Sequence, residues 1–386
     1  MRNVGVVTRG IRIPIIHQGD DLENIVVDSL IEASKTDNIT FKDKDIIAVT
    51  ESILAKSQGN YVSIDDIAQD IQNKFGKDAE LGVVFPIFSR NRFSLILKGI
   101  AKGAKKVYLQ MSYPNDEVGN PIIDPIEIHN KDINVFTTVF NEKEFRKEFG
   151  YDKTIHPFTN VDIIEHYKEL GDNIEILFAN NSKEILNHTK NVLVANIHPR
   201  FKDKEIIKKA GAKKIFTLCD ILSSSIGGSG YNSDYGLLGS NASNEDVLKL
   251  FPRNGEIFVN NVQKKLLDKT GKHIEVMIYG DGAFKDPVAG IWELADPVVS
   301  PAYTKGLEGT PSEYKLKYLA DSLNLEDHEI KEKIKEKKVS KQESLGTTPR
   351  RITDLVGSLA DLTSGSGDRG TPVVHIQGYF DNYSDQ

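Results

Sequence analysis

Asp281 stands between Gly280 and Gly282, at the end of an apolar run that begins at Ile274. A carboxylate between glycines at a strand end is exposed, backed by adaptable backbone and close to other loops. That suits a metal ligand or an acid/base group. An ordinary strand-to-loop turn uses the same residue types. The stretch 223–287 that ends just beyond Asp281 opens with a long run of Gly, Ser, Asn and Asp. Such a run cannot form a core helix or strand, and its backbone N–H groups and access to positive φ suit an anion-binding loop. A second polar group follows the apolar run 45–49: Thr50, Glu51 and Ser52, then Lys56 and Gly59. Hydroxyls and a lysine just past a strand end can hold phosphates as point contacts, and an exposed lysine is as often simply solvated. Two more loops are rich in small and polar residues. One spans 303–311, with Lys305, Glu308 and Thr310 beside two glycines; the other runs from Ser364 to Gly370.

The elements that must position these groups follow from apolar periodicity. The opening segment reads as a strand, an extended piece through Ile13, Pro14, Ile15 and Ile16, and a helix. Gly19-Asp20-Asp21 breaks the chain, and an Asp there caps the helix that buries Ile25, Val26, Leu30 and Ile31. Residues 45–49 form a short buried strand, followed by a helix-like turn to Lys56. Phe93, Leu95, Ile96, Leu97 and Ile100 have helical spacing and lead to a strand at 106–109. From 174 to 220 the chain alternates strand, helix, strand, helix, strand with short connections, which predicts a small parallel α/β unit. Val259, Val262, Leu266 and Leu267 mark the apolar face of a helix before the strand that ends at Asp281. The mixed-charge run 326–343 is a solvated helix or a linker. A last helix carries Ile352, Leu355, Val356, Leu359 and Leu362, and a strand follows at 372–376.

The chain of 386 residues has room for two or three domains. Its hydrophobic fraction of 39% and charged fraction of 27% are those of a folded globular protein. A net charge of −7 provides no general electrostatic footprint for nucleic acid. No apolar stretch reaches the length of a membrane span, and the N-terminus lacks a signal peptide's apolar block, so a cytoplasmic location is expected. The one cysteine, Cys219, excludes an intramolecular disulfide and follows an apolar run, as a buried structural thiol would. There is no GxGxxG fingerprint and no GxxxxGK[ST] phosphate loop. His156, His166, His188 and His198 are too scattered to define a metal site.

Four pieces, taken in order, resemble the coenzyme F-420 gamma-glutamyl ligase family: IPIIHQGDDL at 13–22, DIIAVTESILAKSQG at 45–59, the helix and strand ending at Asp281, and the terminal helix, Gly/Asp loop and PVVHIQGY strand. Together they cover roughly half of the chain. Two departures stand out. Residues 113–216 have no counterpart in short family members, and Gly282-Ala283-Phe284-Lys285 replaces the segment that carries the family's arginine.

The resemblance implies a mixed α+β fold with a mixed sheet and an inserted small α/β unit, in an intertwined homodimer. The domains would be 1–112 and 217–386 as two parts of a ligase domain, with 113–216 as the inserted module. It implies an amide ligase using GTP and Mn or Mg, which adds L-glutamate to a small carboxylic acid through an acyl phosphate. The alternative is a nucleotide-binding or regulatory homologue with altered catalysis. Neither nucleic acid nor membrane is an expected partner. Carried over by position, Ile13, Pro14, Ile15, Ile16, Glu51, Ser52 and Lys56 contact the nucleotide, with Lys56 on a phosphate. Ser364, Gly365, Ser366, Gly367, Asp368 and Gly370 belong to a loop that closes over it. Asp281 is the leading metal ligand and, with Lys56, a catalytic residue; Glu308 and Thr310 are candidates for the second part of the metal site.

Overall fold

The computed structural model describes residues 4–88, 92–155, 160–280, 283–285, 292–294, 300–311, 313–339, 350–364 and 369–381. Asp281, Gly282 and residues 365–368, which the sequence nominates for the site, lie outside the described residues. The chain divides into two compact units. The first comprises residues 1–57, 254–282 and 298–386; the second comprises 58–253 and 283–297.

The first unit is built on a five-stranded mixed sheet. Its strands lie in the order Val7–Ile11, Val373–Gln377, Ile46–Thr50, Glu275–Tyr279, Ala302–Tyr303. Ile46–Thr50 and Glu275–Tyr279 are parallel, and the other neighbours are antiparallel. The central strands are apolar on both faces because helices cover both. Ile47, Val49, Val276 and Ile278 pack on one side with the helices Leu22–Thr36 and Gly255–Thr270. Ile46, Ala48, Met277 and Tyr279 pack on the other with the helix Ile352–Ser364. The alternation is the two-residue period of a strand made visible.

The Asp21 side chain accepts from the Asn24 N–H and starts the helix Leu22–Thr36, as the sequence predicts. Leu267 departs from expectation and is 42% exposed, while Phe258 joins Val259, Val262 and Leu266 in the core. At 3.6 residues per turn Leu267 lies about 140° round from Val262, beyond the buried stripe. Leu362 is likewise exposed at the end of its helix. The run at 326–343 contributes the helix Asp327–Val339, whose Ile330 and Ile334 cover Leu319.

The second unit holds a six-stranded sheet in the order Phe140–Asn141, Ile174–Phe178, Lys106–Met111, Glu80–Val84, Asn191–Val194, Lys214–Thr217. All but the edge strand Phe140–Asn141 are parallel. These strands form a parallel α/β sheet, and residues 113 and 216 both lie within the second unit. Glu80–Val84 is its central strand, hydrogen-bonded on both sides, and so belongs to this unit although it precedes residue 113. Segment 182–187, expected as an α-helix, is a 3-10 helix. Cys219 is half-buried, and burial pushes its thiol up.

The Gly/Ser/Asn run at 223–244 also belongs here rather than with Asp281's strand. Much of its polarity is spent internally. Asn232 donates to the carbonyls of Phe251 and Pro252 and accepts from the N–H groups of Asp234 and Tyr235. Gly239 has positive φ, and a Cβ there would come within 2.0 Å of the Phe251 ring. Among the described residues no helix is long and apolar enough to cross a membrane.

Candidate functional site

In the first unit, one end of the sheet gathers most of the nominated residues. The strand Ile46–Thr50 ends there and runs straight into the short helix Glu51–Ser57, with Glu51 only 5% exposed, Ser52 and Lys56 half-buried. Lys56 makes no hydrogen bond or ion pair among the described residues, so its charge is uncommitted. The neighbouring parallel strand pairs Tyr279 with Thr50 and thus ends at the same level, one residue before Gly280.

The returning strand Val373–Gln377 starts from this end, and the Thr50 N–H donates to the Pro372 carbonyl at 3.0 Å. Gly10, on the edge strand, lies so close to Thr371 that a Cβ would come within 2.9 Å of its side chain. Any larger residue would push the loop at 370–372 away. Thr371 Oγ1 donates to the Ser364 carbonyl, tying the end of the last helix to the same place.

Residues 13–16 cross this end. The Ile13 N–H points to the Gly370 carbonyl at 3.4 Å, and the Gly19 N–H donates to the Ser57 carbonyl at 2.8 Å. The segment is therefore held at both its approaches, by the terminal loop and by the end of the Glu51–Ser57 helix. Ile16 is buried as its anchor, while Pro14 and Ile15 are exposed. Exposed Pro14 and Ile15 and the half-buried Lys56, all at this end, can meet a ligand with an apolar part and an anionic part.

Glu308 and Thr310 do not join this cluster. The strand Ala302–Tyr303 runs antiparallel to Glu275–Tyr279 and carries the chain toward Glu275, at the opposite end. There the Gly306 N–H donates to Glu275 Oε2 at 3.2 Å, and a Cβ on Gly306 would come within 2.1 Å of Glu275 Oε1. The Ile352 N–H then takes up the Gly309 carbonyl at 3.0 Å. Glu308 and Thr310 are exposed on this anchored loop, a strand's length from Gly280. Among the described residues no group of three or more His, Cys, Asp or Glu side chains could hold a metal ion.

Sequence reasoning missed a buried polar group at that opposite end. His375 and Asp45 are 0% and 1% exposed, with His375 Nε2 and Asp45 Oδ2 2.8 Å apart. The same oxygen accepts from Gln377 Nε2 at 2.9 Å and from the Lys42 N–H at 3.0 Å. Arg9, the cross-strand partner of His375, brings Nη1 to 3.4 Å from Nδ1. A carboxylate can only accept, so Nε2 carries the proton shared with Asp45. The available signal was a histidine and a glutamine alternating within an otherwise apolar strand. Of the scattered histidines, His166 Nε2 lies 2.8 Å from Ser94 Oγ and His188 packs against Tyr108, while His156 lies outside the described residues.

A family model described as F420-0:Gamma-glutamyl ligase matches residues 10–378. The coenzyme F420:L-glutamate ligase of Methanothermobacter thermautotrophicus is 33% identical over 73 residues, 18% of this chain and 27% of that protein. Its counterpart from Methanosarcina barkeri is 32% identical over 91 residues, 22% of this chain and 31% of that protein. The matched segments thus span about a third or less of these curated relatives. With the family match running over nearly the whole length, the chain belongs to the F420-0:gamma-glutamyl ligase family.

Proposed function

We propose that this protein is a GTP- and divalent-metal-dependent amide ligase that adds L-glutamate to a carboxylic acid acceptor. The observation that carries this reading is the convergence of Ile13–Ile16, Glu51, Ser52, Lys56, Ser364 and Gly370 at one end of a single sheet. These residues come from three segments far apart in sequence, and family membership gives that convergence a chemical purpose. In the proposed reaction an acceptor carboxylate oxygen attacks the γ-phosphorus and GDP leaves. The glutamate amine then attacks the acyl carbon of the acyl phosphate, loses a proton and expels phosphate.

The chain's own contributions follow from residue chemistry. Lys56, with an uncommitted ammonium, neutralises nucleotide phosphate charge. Residues 13–16, with Ser364 and Gly370, bracket the nucleotide. A Mg²⁺ or Mn²⁺ ion bound through phosphates needs only one or two protein carboxylates. Asp281, next after Gly280, and the buried Glu51 are the carboxylates that would hold it; Glu308 and Thr310 drop out. When bound, the ion supplies charge neutralisation at the β- and γ-phosphates. A homodimer remains part of the proposal, read by the mass of the protein in solution.

The test is incorporation of labelled L-glutamate into a panel of carboxylic acids, including the deazaflavin coenzyme, with GTP and Mn²⁺ or Mg²⁺. GDP release that requires both acceptor and glutamate is the expected result. Stabilisation by GTP and metal with no turnover on any acceptor would leave a nucleotide-binding homologue instead.

A further inference from the structure

The second unit carries a feature that the ligase reading does not use. Its parallel strands, counted in chain order from Glu80–Val84, lie in the spatial order third, second, first, fourth, fifth. Progression along the sheet reverses between the first strand and the fourth, Asn191–Val194. Open parallel sheets form a ligand crevice outside the carboxyl ends of the strands at such a reversal.

The loops leaving these strands are cross-tied there by two adjacent carboxylates. Asp116 accepts from the N–H groups of Phe88 at 2.9 Å, Val118 at 3.0 Å and Asn120 at 2.8 Å. Glu117 accepts from the N–H groups of Ile197 and His198. Burial raises both carboxyls above their ordinary range. Phe85, just past the first strand, has φ of 56°, a left-handed conformation that a bulky residue rarely adopts.

Three amides at this edge have their NH2 ends committed. Gln110 Nε2 donates to the carbonyls of Ala179 at 3.1 Å and Asn181 at 2.9 Å. Asn120 Nδ2 donates to Asp116 Oδ2 at 3.0 Å, and Asn196 Nδ2 donates to Asp203 Oδ2 at 2.6 Å. Because these partners only accept, each amide's orientation is fixed. The opposite atoms, Gln110 Oε1, Asn120 Oδ1 and Asn196 Oδ1, are buried with no hydrogen bond among the described residues, as is Arg200 Nε. The three amide residues are 0%, 5% and 1% exposed. Buried acceptors without donors are costly, and several gathered at one sheet edge point to a ligand that supplies what they lack. Alternation with Tyr108, Val192 and Val194 places Gln110 and Asn196 on the same sheet face, two strand spacings across and two residues along, or about 12 Å apart. One small molecule can reach both with different ends.

We propose that this carboxyl edge is a second ligand site, for a polar α-amino acid whose side chain donates hydrogen bonds. The ammonium group donates to Asn196 and Asn120, the carboxylate lies on Arg200, and the side-chain donor reaches Gln110. Local charge selects this class. Asp116, Glu117 and Asp203 favour a cationic group, and the N–H groups of Ile197 and His198, which could otherwise receive a phosphate before the helix Arg200–Lys209, already hold Glu117. Neutral polyols could meet the amides and Arg200 Nε, but carry no charge to match the carboxylates or the guanidinium. The site lies wholly within the second unit and is probed without nucleotide, so its fate is separate from that of the ligase reading.

Calorimetric titration of the full chain with L-glutamine, L-lysine, L-glutamate and L-leucine tests it. L-Glutamine or L-lysine should bind at one site more tightly than L-glutamate or L-leucine, whose side chains carry no donor at neutral pH. Asn196→Leu and Arg200→Met should each weaken that binding about tenfold or more. Should Asn196→Leu not fold, Arg200→Met at the half-buried helix start carries the test alone. Absence of binding by all four, equal binding of L-leucine, or affinity unchanged in the variants overturns the proposal, leaving the amide oxygens to ordered water.

Discussion

The two ends of the five-stranded sheet in the first unit are built from the same strands and do opposite things. At the end where Thr50 and Tyr279 stop, polar groups sit on converging loops and at least one charge, that of Lys56, has no partner among the described residues. At the other end Asp45, His375, Gln377 and Glu275 are buried and occupied with one another or with backbone. Parallel strands direct successive loops to their carboxyl ends, so a ligand meets several segments at once there. The amino ends have no such convergence, and their polar residues are free to lock the sheet together.

On that division, the largest separation between activity and stability comes from Asp281→Asn. Turnover should fall about a thousandfold, since metal-borne charge stabilisation is worth several kcal/mol, while the melting temperature stays put. Wild-type activity at limiting Mn²⁺ would remove Asp281 from the site.

Asp45→Ala should behave in the reverse way. It strands the donors of His375 and Gln377 in the core, each costing about 1–3 kcal/mol, so a total near 2–5 kcal/mol is expected. Denaturant unfolding measures that loss, and GTP affinity of the remaining folded protein should match wild type. A mild effect on stability with a strong one on affinity would erase the contrast between the ends.

Lys56→Met keeps most of the aliphatic stem and removes the charge. GTP affinity should fall about ten- to a hundredfold, as a charge-assisted contact of about 1.5–3 kcal/mol disappears. Stability should barely change, because an unpaired lysine contributes little to folding. Equal dissociation constants by calorimetry would return Lys56 to the solvent.

Local sequence determined the parts of this protein that depend on neighbours a few residues away. The run Ile46–Val49 announces a strand covered on both faces, Asp21 announces a helix start, and the apolar stripe from Val259 to Leu266 announces a packed helix; all three are present. The segments 13–22 and 45–59 are legible as pieces of one family pattern because their residue types survive as contiguous strings. What the tertiary structure decided rests on pairings that no local pattern encodes. Strand register alone sends Glu308 and Thr310 to the end away from Gly280. Asp45 and His375 meet across 330 positions of sequence. The reversal of strand order in the second unit is set by which buried edge each later strand finds free, with Glu80–Val84 accepting one neighbour on each side. Hydrogen-bonded edges and shared apolar faces choose such partners collectively, and the choice exists only once the sheet has formed.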